Sequence, residues 1–315
     1  MKNILVIGST GQIGSELTLE LRKHYGENVV AGYIPGAEPK GKLAETGPSA
    51  IVDITNGQQI ADTVAKYRVD TVYNLAALLS AVAESKHRLA WHIGIDGLIN
   101  VLEVARERGC AVFTPSSIGA FGDGAPKDMT PQDTVCRPHT MYGVTKVTGE
   151  LLSDYYYTRF GVDTRGVRFP GLISYVTPPG GGTTDYAVDI FYAAARGETF
   201  RCPIQAGTFM DMMYMPDALR AAIQLMEADP TRLRHRNAFN IASMSFDPEI
   251  IYRQIRKYRP DFVMEYTVDP LRQSIAESWP NHMDDHCARE EWDWAPRYDL
   301  DAMTRDMLEK LSARF

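Results

Sequence analysis

An α/β fold is what the sequence predicts, with a doubly wound parallel sheet followed by a smaller C-terminal α/β lobe. Short β-branched runs alternate with longer helical patterns through the first half of the chain, which is typical of a parallel sheet with helices on both faces. A Pro- and Gly-rich stretch at residues 178–182 ends this alternation. Beyond it, helical segments mix with single short strands, and this change predicts the second lobe.

The elements of the first half follow from their apolar patterns. Ile4–Ile7 is a fully apolar run before Gly8, as expected for a strand that is buried on both faces. A helical pattern follows at Gln12–Tyr25. The further predicted strands are Val29–Tyr33, Ala50–Asp53, Thr71–Asn74, Ala111–Pro115 and Thr164–Phe169, and the helices between them include Leu89–Arg108 and Met141–Phe160.

The second half is predicted to be mainly helical. Its helical patterns are Asp185–Arg196, Asp217–Met226, Pro248–Tyr258 and Leu300–Ser312. We expect residues 1–169 to form the sheet domain and residues 170–315 to form mainly the lobe. Two short segments, at about 205–226 and 237–242, are expected to return to the sheet domain.

Composition and charge exclude several classes of protein. Of the 315 residues, 44% are hydrophobic and 23% charged, which is ordinary for a globular protein. A net charge of -7 argues against a nucleic-acid or membrane-surface partner, since both usually bind a basic face. The apolar runs are too short to span a bilayer, and Met1-Lys2-Asn3 leads directly into a strand, which leaves no room for a targeting segment. The four cysteines lack paired spacing, so we expect no disulfides and a cytoplasmic location.

A glycine motif, Gly8-Ser-Thr-Gly11-Gln-Ile-Gly14, lies between the first predicted strand and the first predicted helix. Glycines permit a tight turn and let the backbone approach a pyrophosphate, and the N-terminus of the helix offers unpaired N–H groups to that anion. The motif therefore predicts a dinucleotide site of the Rossmann type. A plain glycine-rich turn is the alternative, and the flanking strand and helix argue against it.

The second predicted strand lacks the acid that usually binds the ribose hydroxyls of a dinucleotide. It ends at Tyr33-Ile34, and the nearest bases are Lys40 and Lys42, so the choice between NAD and NADP is open. Asp53, with Ile54, is placed to reach the adenine edge. A solvated turn carboxylate is an equally good interpretation of Asp53.

Tyr142 and Lys146 lie one helical turn apart in a predicted helix, so the phenol and the ammonium share a face. A free phenol, with a pKa of about 10, is a poor base at neutral pH, but a nearby ammonium favours the phenolate. Ser116-Ser117 follows the predicted strand Ala111–Pro115, at the edge of the sheet where ligands bind, and there a hydroxyl can hold a substrate oxygen. A Tyr and a Lys at this spacing are common on solvated helix faces, so the pair alone does not indicate a catalytic site. Together with the glycine motif and the serine it predicts an acid–base site.

The glycine motif, Ser117 and the Tyr142/Lys146 pair together resemble the extended short-chain dehydrogenases, a group that includes sugar-nucleotide epimerases. A closer resemblance, to the short-chain L-threonine 3-dehydrogenases, covers nearly the whole chain. The strings that carry it are Ala76-Ala-Leu-Leu-Ser80-Ala-Val-Ala-Glu84, Pro115-Ser-Ser-Ile118, Pro170-Gly-Leu-Ile-Ser174, Pro179-Gly-Gly-Gly-Thr-Thr-Asp-Tyr-Ala-Val188, Met212-Met-Tyr214, Ala276-Glu-Ser-Trp-Pro280 and Trp292-Asp-Trp294.

That resemblance implies oxidation of L-threonine at C3 with NAD, giving 2-amino-3-oxobutyrate and NADH. Tyr142 would take the proton of the C3 hydroxyl, Ser117 would orient that hydroxyl, and Lys146 would favour the phenolate and bind the nicotinamide ribose. The predicted cofactor-binding residues are Gly8, Thr10, Gly11, Gln12, Ile13, Gly14, Tyr33, Asp53, Ile54, Leu75, Ala76, Ala77, Tyr142, Lys146 and Leu172. The predicted substrate-binding residues are Ser80, Ser117, Tyr142, Thr184 and Asp185.

Two positions depart from the pattern of this family. Related sequences usually carry an acid where Tyr33 stands, so the source of a preference for NAD is open. They also commonly carry an Asn near Gly94. If that Asn positions the lysine or a water molecule, another group must do so here.

The segment at residues 169–195 indicates which class of substrate the protein binds. Gly180–Gly182 is either a hinge that lets Thr183–Tyr186 close over substrate or a turn at which Thr184 or Asp185 caps the next helix, and the two are compatible. Residues 169–195 contain no Lys or Arg. A nucleotide-sugar diphosphate normally needs cationic partners, so this stretch favours a small substrate.

Three further alternatives concern a metal, a partner and the function. His282, His286 and Cys287 have a spacing that metal ligands can show, but the chain has no CxxC and the chemistry needs no metal, so we expect a solvated turn and no metal. The apolar stripe Leu151–Phe160 is core, or in part a homodimer face, since relatives commonly pair through that helix. The competing functions are a nucleotide-sugar epimerase or dehydratase and a dinucleotide-binding regulator without turnover.

Overall fold

The computed structural model describes residues 1–178, 180 and 182–315. Pro179 and Gly181, in the segment predicted as a hinge, lie outside the described residues. The strands are β1 (Ile4–Ile7), β2 (Val29–Tyr33), β3 (Ser49–Ile51), β4 (Thr71–Asn74), β5 (Ala111–Phe113), β6 (Ser116–Ser117), β7 (Thr164–Arg165), β8 (Val167–Phe169), β9 (Gly171–Ile173), β10 (Phe200–Cys202), β11 (Met210–Tyr214), β12 (Phe239–Asn240), β13 (Met244–Phe246) and β14 (Met264–Tyr266). The α-helices are α1 (Gln12–Tyr25), α2 (Lys42–Glu45), α3 (Gly57–Tyr67), α4 (Ser80–Ser85), α5 (His87–Trp91), α6 (Gly97–Arg108), α7 (Met141–Phe160), α8 (Tyr186–Arg196), α9 (Met215–Glu227), α10 (Pro248–Arg256), α11 (Pro270–Glu277), α12 (His286–Trp292) and α13 (Leu300–Ser312).

The main sheet has the strand order β3-β2-β1-β4-β5-β7, and all its pairs are parallel. The four residues of β1 are buried, because helices cover both faces of the sheet. The chain runs outward from β1 in both directions, so the order reverses between β1 and β4, where ligands of such sheets bind. The predicted α/β class with a doubly wound parallel sheet is confirmed.

One of the predicted strands is divided in the structure. The predicted strand Thr164–Phe169 breaks at Gly166, where a Cβ atom would lie 2.3 Å from the carbonyl oxygen of Thr114. Before the break β7 pairs with β5, and after it β8 pairs with both β6 and β12. Strands β12, β8 and β6 thus form a second sheet, which contains Ser116-Ser117.

Helices α1 and α7 have the bounds that the sequence predicts, because local signals define both ends of each. The side chain of Thr140 accepts a hydrogen bond from the N–H of Gly143 at 3.1 Å and so caps α7. Gly161, with φ of 71°, ends that helix in the left-handed conformation that glycine favours.

The predicted helix Leu89–Arg108 is instead formed by α5, a π-helical turn at His92–Asp96, and α6. His92 Nδ1 and Asp96 Oδ2 lie 2.8 Å apart across this turn. The extra residue of a π turn shifts the faces of a helix, and such turns occur frequently at functional sites. Gly94 lies within it.

The second half of the chain contributes its own hydrophobic core. Strand β11 pairs in parallel with β9 and antiparallel with β13, while β10 pairs with β14. Helices α8, α10 and α13 enclose the buried side chains beside these strands, including Phe191 and Phe246. Strand β12 pairs with β8, beside the main sheet. The division of the chain into domains at residue 169 stays a prediction.

Two further findings concern cysteines and helices. All four cysteines are free thiols. Among the helices of the described residues, none combines the length and the apolar character that crossing a membrane requires. The cytoplasmic location stays a prediction.

We predict that Gly14→Ala destabilises the protein by about 1–3 kcal/mol, as overpacking of a rigid core does. The new Cβ atom would lie 2.1 Å from the carbonyl oxygen of Gly8, so the backbone of the turn would have to move. Gly11→Ala is the matched control, because its Cβ would lie 3.4 Å from the same oxygen, an ordinary contact. Thermal unfolding followed by circular dichroism should separate the two variants. Equal melting temperatures would contradict the prediction.

Candidate active site

A cleft opens at the carboxyl ends of β1, β4 and β6, between the sheet and the second half of the chain. It encloses about 1300 Å³ of empty volume, counting its open mouth. Most of the predicted site residues line it. These residues are Gly8, Gly11, Gln12, Ile13, Gly14, Leu75, Ala77, Ser80, Ser117, Tyr142, Lys146, Leu172, Thr184 and Asp185.

The glycine motif forms a turn that fits a pyrophosphate. Gly8 has φ of 79°, and the N–H of Gly11 donates to the Gly8 carbonyl at 3.1 Å. Within the described chain, no side chain caps the N-terminus of α1 and no acid lies in its first turn. The N–H groups and the partial positive charge at this end of the helix are therefore available to an anion in the cleft. The residues present fit the phosphates of a dinucleotide.

Five of the predicted cofactor-binding residues do not line this cleft. They are Thr10, Tyr33, Asp53, Ile54 and Ala76. Asp53 Oδ1 accepts hydrogen bonds from the N–H and the hydroxyl of Thr55, at 2.9 and 2.8 Å, which is a local turn. Ile54 is buried against Gly97. Their roles in cofactor binding stay predictions.

Helix α7 brings Tyr142 and Lys146 into the cleft. Lys146 Nζ donates to the carbonyl oxygen of Pro115 at 2.8 Å and lies 5.4 Å from the centroid of the Tyr142 ring. The ring packs on Gly119, where a Cβ atom would lie 3.2 Å from it. Behind it, a Cβ atom at Gly143 would lie 2.3 Å from the carbonyl oxygen of Gly119. Because Gly119 and Gly143 have no side chains, the start of α7 can lie close to the turn after β6.

The two serines of β6 differ in their partners. Ser117 Oγ accepts a hydrogen bond from the N–H of Gly119 at 3.1 Å, so its own proton stays available to a ligand in the cleft. Ser116 donates its hydrogen bond to Glu150 on α7. Ser117 is therefore the serine with a hydroxyl free to orient a substrate oxygen.

Glu150 and Arg168 form a buried ion pair behind the cleft, with both side chains at most 10% exposed. Arg168 donates to the carboxylate through Nε at 3.0 Å and Nη2 at 2.9 Å. Its Nη1 donates to the carbonyl oxygen of Gln132 at 3.0 Å and to Asn240 Oδ1 at 3.1 Å. This network joins α7 to β8, β6 and β12 and fixes the rotation of α7 about its axis.

The predicted substrate-binding residues Ser80, Thr184 and Asp185 lie on α4 and in the segment before α8. The carboxylate of Glu84 on α4 accepts from the N–H of Met141 at 2.6 Å, and this contact links the helix that begins at Ser80 to the start of α7. Asp185 Oδ2 accepts from the N–H of Gly182 at 2.6 Å and closes a short turn before α8. Ser80 thus begins a helix that is attached to α7, whereas Thr184 belongs to a turn that packs against β9.

Sequence reasoning missed Trp279, which lines the cleft from the second half of the chain and is 7% exposed. Lys127 Nζ donates to its carbonyl oxygen at 3.1 Å and so attaches this segment to the loop after β6. The string Ala276-Glu-Ser-Trp-Pro280 supports the family resemblance, but no local pattern indicates that Trp279 faces a ligand. Only the tertiary structure brings it to the cleft.

A separate cluster of potential metal ligands lies away from the cleft. Ligand atoms of His235, Cys287 and Glu291 lie within 4.8 Å of one another. Glu291 already accepts from His235 Nδ1 at 2.5 Å and from the N–H groups of Arg234 and His235 at 2.6 and 2.9 Å. His282, from the pattern interpreted as a solvated turn, pairs with Asp211 at 3.0 Å. The expectation of no metal stays a prediction.

The arrangement of cleft, glycine turn, serine and Tyr/Lys helix agrees with the comparisons to known proteins. A family profile described as the NAD dependent epimerase/dehydratase family matches residues 4–242. The chain belongs to this family. Its enzymes are NAD-dependent by that description, and the glycine turn above fits such a cofactor. The predicted membership in the extended short-chain dehydrogenases is confirmed.

The relatives carry two kinds of name. An uncharacterized epimerase/dehydratase of Staphylococcus saprophyticus is 52% identical, over 100% of this chain and 98% of the relative. The structure is similar to L-threonine dehydrogenase of Clostridium difficile, with 60% identity, a TM-score of 0.96, and 100% and 98% of the two chains covered. It is also similar to the holo form of a GalE-like L-threonine dehydrogenase of Cupriavidus necator, with 46% identity, a TM-score of 0.94, and 98% and 99% covered.

One carboxyl group near the glycine turn has a shifted pKa. Glu16 lies in the second turn of α1 and accepts a hydrogen bond from Ser174 Oγ at 2.5 Å. Burial raises the pKa of Glu16 from 4.5 to about 7, although the Ser174 hydrogen bond and the charge of Arg314 oppose the shift. Folding therefore favours the neutral carboxyl, and the stability that this group contributes is lost as the pH rises from 4.5 through 7.

We predict that Glu16→Gln raises the melting temperature at about pH 8 and leaves it nearly unchanged at about pH 5, because the variant has no buried charge to form at either pH. The amide oxygen still accepts from Ser174. Glu309→Gln, at an exposed position on α13, is the control and should give no pH-dependent gain. Differential scanning calorimetry at both pH values measures the effect. A gain of equal size at both would mean that the charge of Glu16 is not its cause.

Proposed function

We propose that this enzyme oxidises the C3 hydroxyl of L-threonine, giving 2-amino-3-oxobutyrate. The observation that carries the proposal is the meeting of Ser117, Tyr142 and Lys146 in the cleft that also contains the glycine turn. The two L-threonine dehydrogenases similar in structure, at 60% and 46% identity, support the choice of substrate. NAD is the cofactor that we propose, and when bound it supplies the acceptor for the hydride.

Ser117, Tyr142 and Lys146 each have a separate role in the proposed reaction. Ser117 donates a hydrogen bond to the C3 oxygen and orients it toward Tyr142. The Tyr142 phenolate takes the proton of the C3 hydroxyl and acts as the general base. The Lys146 ammonium, held by the Pro115 carbonyl at 2.8 Å, places its charge 5.4 Å from the centroid of the Tyr142 ring and binds the nicotinamide ribose.

The charges of the cleft favour a small zwitterionic substrate over a nucleotide sugar. Among the described residues that line the cleft, Lys146 is the one cation and Asp185 the one acid. The diphosphate of a nucleotide sugar normally needs cationic partners of its own. Ser80 and Thr184 offer hydroxyls for the charged end of an amino acid, and Asp185 lies beside Thr184 in the same turn.

We expect the purified enzyme to reduce NAD with L-threonine and to keep this activity in the presence of a chelator. NADH absorbance follows the reaction, first with L-threonine and then with UDP-sugars. NADP, assayed in parallel, tests whether Tyr33 in place of an acid relaxes the cofactor preference. No NADH from L-threonine, together with tight binding of a UDP-sugar, would replace the proposal with an epimerase or dehydratase. Binding of NAD without any turnover would indicate a regulator.

Tyr142→Phe tests the acid–base role within that assay. It should lower kcat by about 10²–10⁴-fold, the usual contribution of general acid–base catalysis, while the affinity for NAD measured by titration changes little. Tyr157→Phe is the matched control, because Tyr157 lies on α7 but does not line the cleft, and it should react at the wild-type rate. Near-normal turnover in Tyr142→Phe would mean that another group moves the proton.

We propose further that the protein is a homodimer that pairs through α7 and α5. Of the apolar stripe on α7, Tyr156 is buried while Leu151 and Tyr155, one turn apart, are 64% and 54% exposed. Helix α5 packs beside α7 and exposes Leu89 and Trp91. Exposed apolar side chains on neighbouring helices are typical of an interface, and a twofold axis would bury the same patch on both subunits.

Leu151→Glu is expected to convert the dimer to a monomer, because the twofold axis brings two like charges into one interface. Leu271→Glu is the control, since Leu271 is 58% exposed on α11, away from α7. Light scattering coupled to size-exclusion chromatography measures the mass of each. A wild-type protein that elutes as a monomer at micromolar concentration would contradict the proposal.

A further inference from the structure

A cluster of three potential ligand side chains lies where α12 packs against β12. Cys287 and Glu291 are four residues apart on α12 and therefore share a face of this helix. His235, from the segment before β12, meets them there, and one ligand atom of each side chain lies within 4.8 Å of the other two. None of these three residues lines the cleft.

The three donor atoms are those that zinc prefers in proteins. Zinc lies about 2.3 Å from a cysteine sulfur and about 2.0–2.2 Å from a histidine nitrogen or a carboxylate oxygen. Two ligands of one zinc ion are therefore no more than about 4.5 Å apart, so small rotations of these side chains bring all three donors onto one ion. A thiolate ligand disfavours magnesium and calcium, which bind oxygen.

The carboxylate of Glu291 is held in place before any ion binds. Its Oε2 accepts from the N–H groups of Arg234 and His235 at 2.6 and 2.9 Å, and its Oε1 lies 2.5 Å from His235 Nδ1. The side chain of Glu291 is 2% exposed, and buried carboxylates are paired or coordinate metals. Arg234 Nε lies 3.5 Å from this carboxylate, but its side chain is 68% exposed, so solvent screens its charge.

His286 stands beside the thiol in the position of a fourth ligand. Its Nε2 lies 3.3 Å from Cys287 Sγ, and its Nδ1 lies 2.8 Å from Asp284 Oδ2. Histidines that bind a metal nearly always direct their other ring nitrogen to a carboxylate, a carbonyl or water, which fixes the orientation of the ring. The side chain of His286 is 56% exposed, so an ion can reach the cluster from solvent on this side.

We propose that His235, Cys287 and Glu291, with His286 as the fourth ligand, bind one Zn²⁺ ion that joins α12 to the segment before β12. The role of the ion is structural, because its ligands lie outside the cleft and touch no substrate. The expectation of no metal rests on the lack of a CxxC and on the chemistry of the cleft, and a zinc ion at this place conflicts with neither. The proposal does not depend on the proposed function.

Metal analysis of the wild-type protein tests the site directly. The purified enzyme is stripped with a chelator, dialysed against Zn²⁺ or Mg²⁺, and measured by mass spectrometry of the elements. We expect one zinc per chain and no magnesium. Co²⁺ in place of zinc should show the near-ultraviolet absorption of a thiolate bound to the metal. Less than one zinc per chain, or cobalt without this absorption, would overturn the proposal.

Cys287→Ser removes the thiolate from the site. Loss of an outer partner of a metal ligand typically lowers affinity by about 10–100-fold, so loss of a ligand itself should lower the affinity for zinc by at least about 100-fold. Cys110→Ser is the matched control, because Cys110 is another buried thiol and donates to the carbonyl oxygen of Val69 at 3.2 Å, which a serine can also do. Isothermal titration with Zn²⁺ measures both variants. Equal affinities would mean that zinc binds elsewhere.

Thermal unfolding tests the structural role. A ligand that binds the folded state stabilises it by mass action, so zinc at about a hundredfold excess over its Kd should raise the melting temperature of the wild type by several degrees, and that of Cys287→Ser hardly at all. A chelator should reverse this gain and leave NADH formation unchanged below the unfolding temperature. An unchanged melting temperature in the wild type, or loss of activity on chelation, would contradict the proposal. Zinc binding without any oxidation of L-threonine would contradict the proposed function alone.

Discussion

The buried ion pair between Glu150 and Arg168 is the interaction on which the geometry of the candidate site depends most. It joins α7 to β8 and also takes in Ser116, Gln132 and Asn240. Loss of one partner of such a pair leaves an uncompensated buried charge, which costs about 3–5 kcal/mol. Helix α7 therefore keeps one rotation about its axis, and this rotation points Tyr142 and Lys146 into the cleft.

Close backbone contacts determine how near α1 and α7 lie to the turns that precede them in the cleft. Gly14 brings α1 against the carbonyl of Gly8, and Gly143 brings α7 against the carbonyl of Gly119. In both places the absence of a side chain lets a helix begin nearer to a strand end than any other residue would allow. The turn that fits the phosphates and the turn beside Tyr142 are fixed in the same way, at the ends of β1 and β6, which belong to two different sheets.

The parts of the fold that could be predicted are those that local signals define. The bounds of α1 and α7 follow from glycine and threonine at their ends, and the order of the sheet follows from the alternation of elements. The π-helical turn around Gly94 and the strand break at Gly166 could not be predicted, because each depends on contacts with a distant segment. The same holds for Trp279, whose position in the cleft is decided by the packing of the second half of the chain.

Because Trp279 and Leu172 line the same cleft, a ligand that fills it touches two of the hydrophobic cores of the described residues. The free energy of binding then adds to the free energy that holds the two halves of the chain together, since only the assembled protein offers the complete site. Occupancy of the cleft thereby increases the cooperativity of unfolding. A partly unfolded chain with one intact core loses its ligand, and this loss favours complete unfolding or complete refolding over the intermediate.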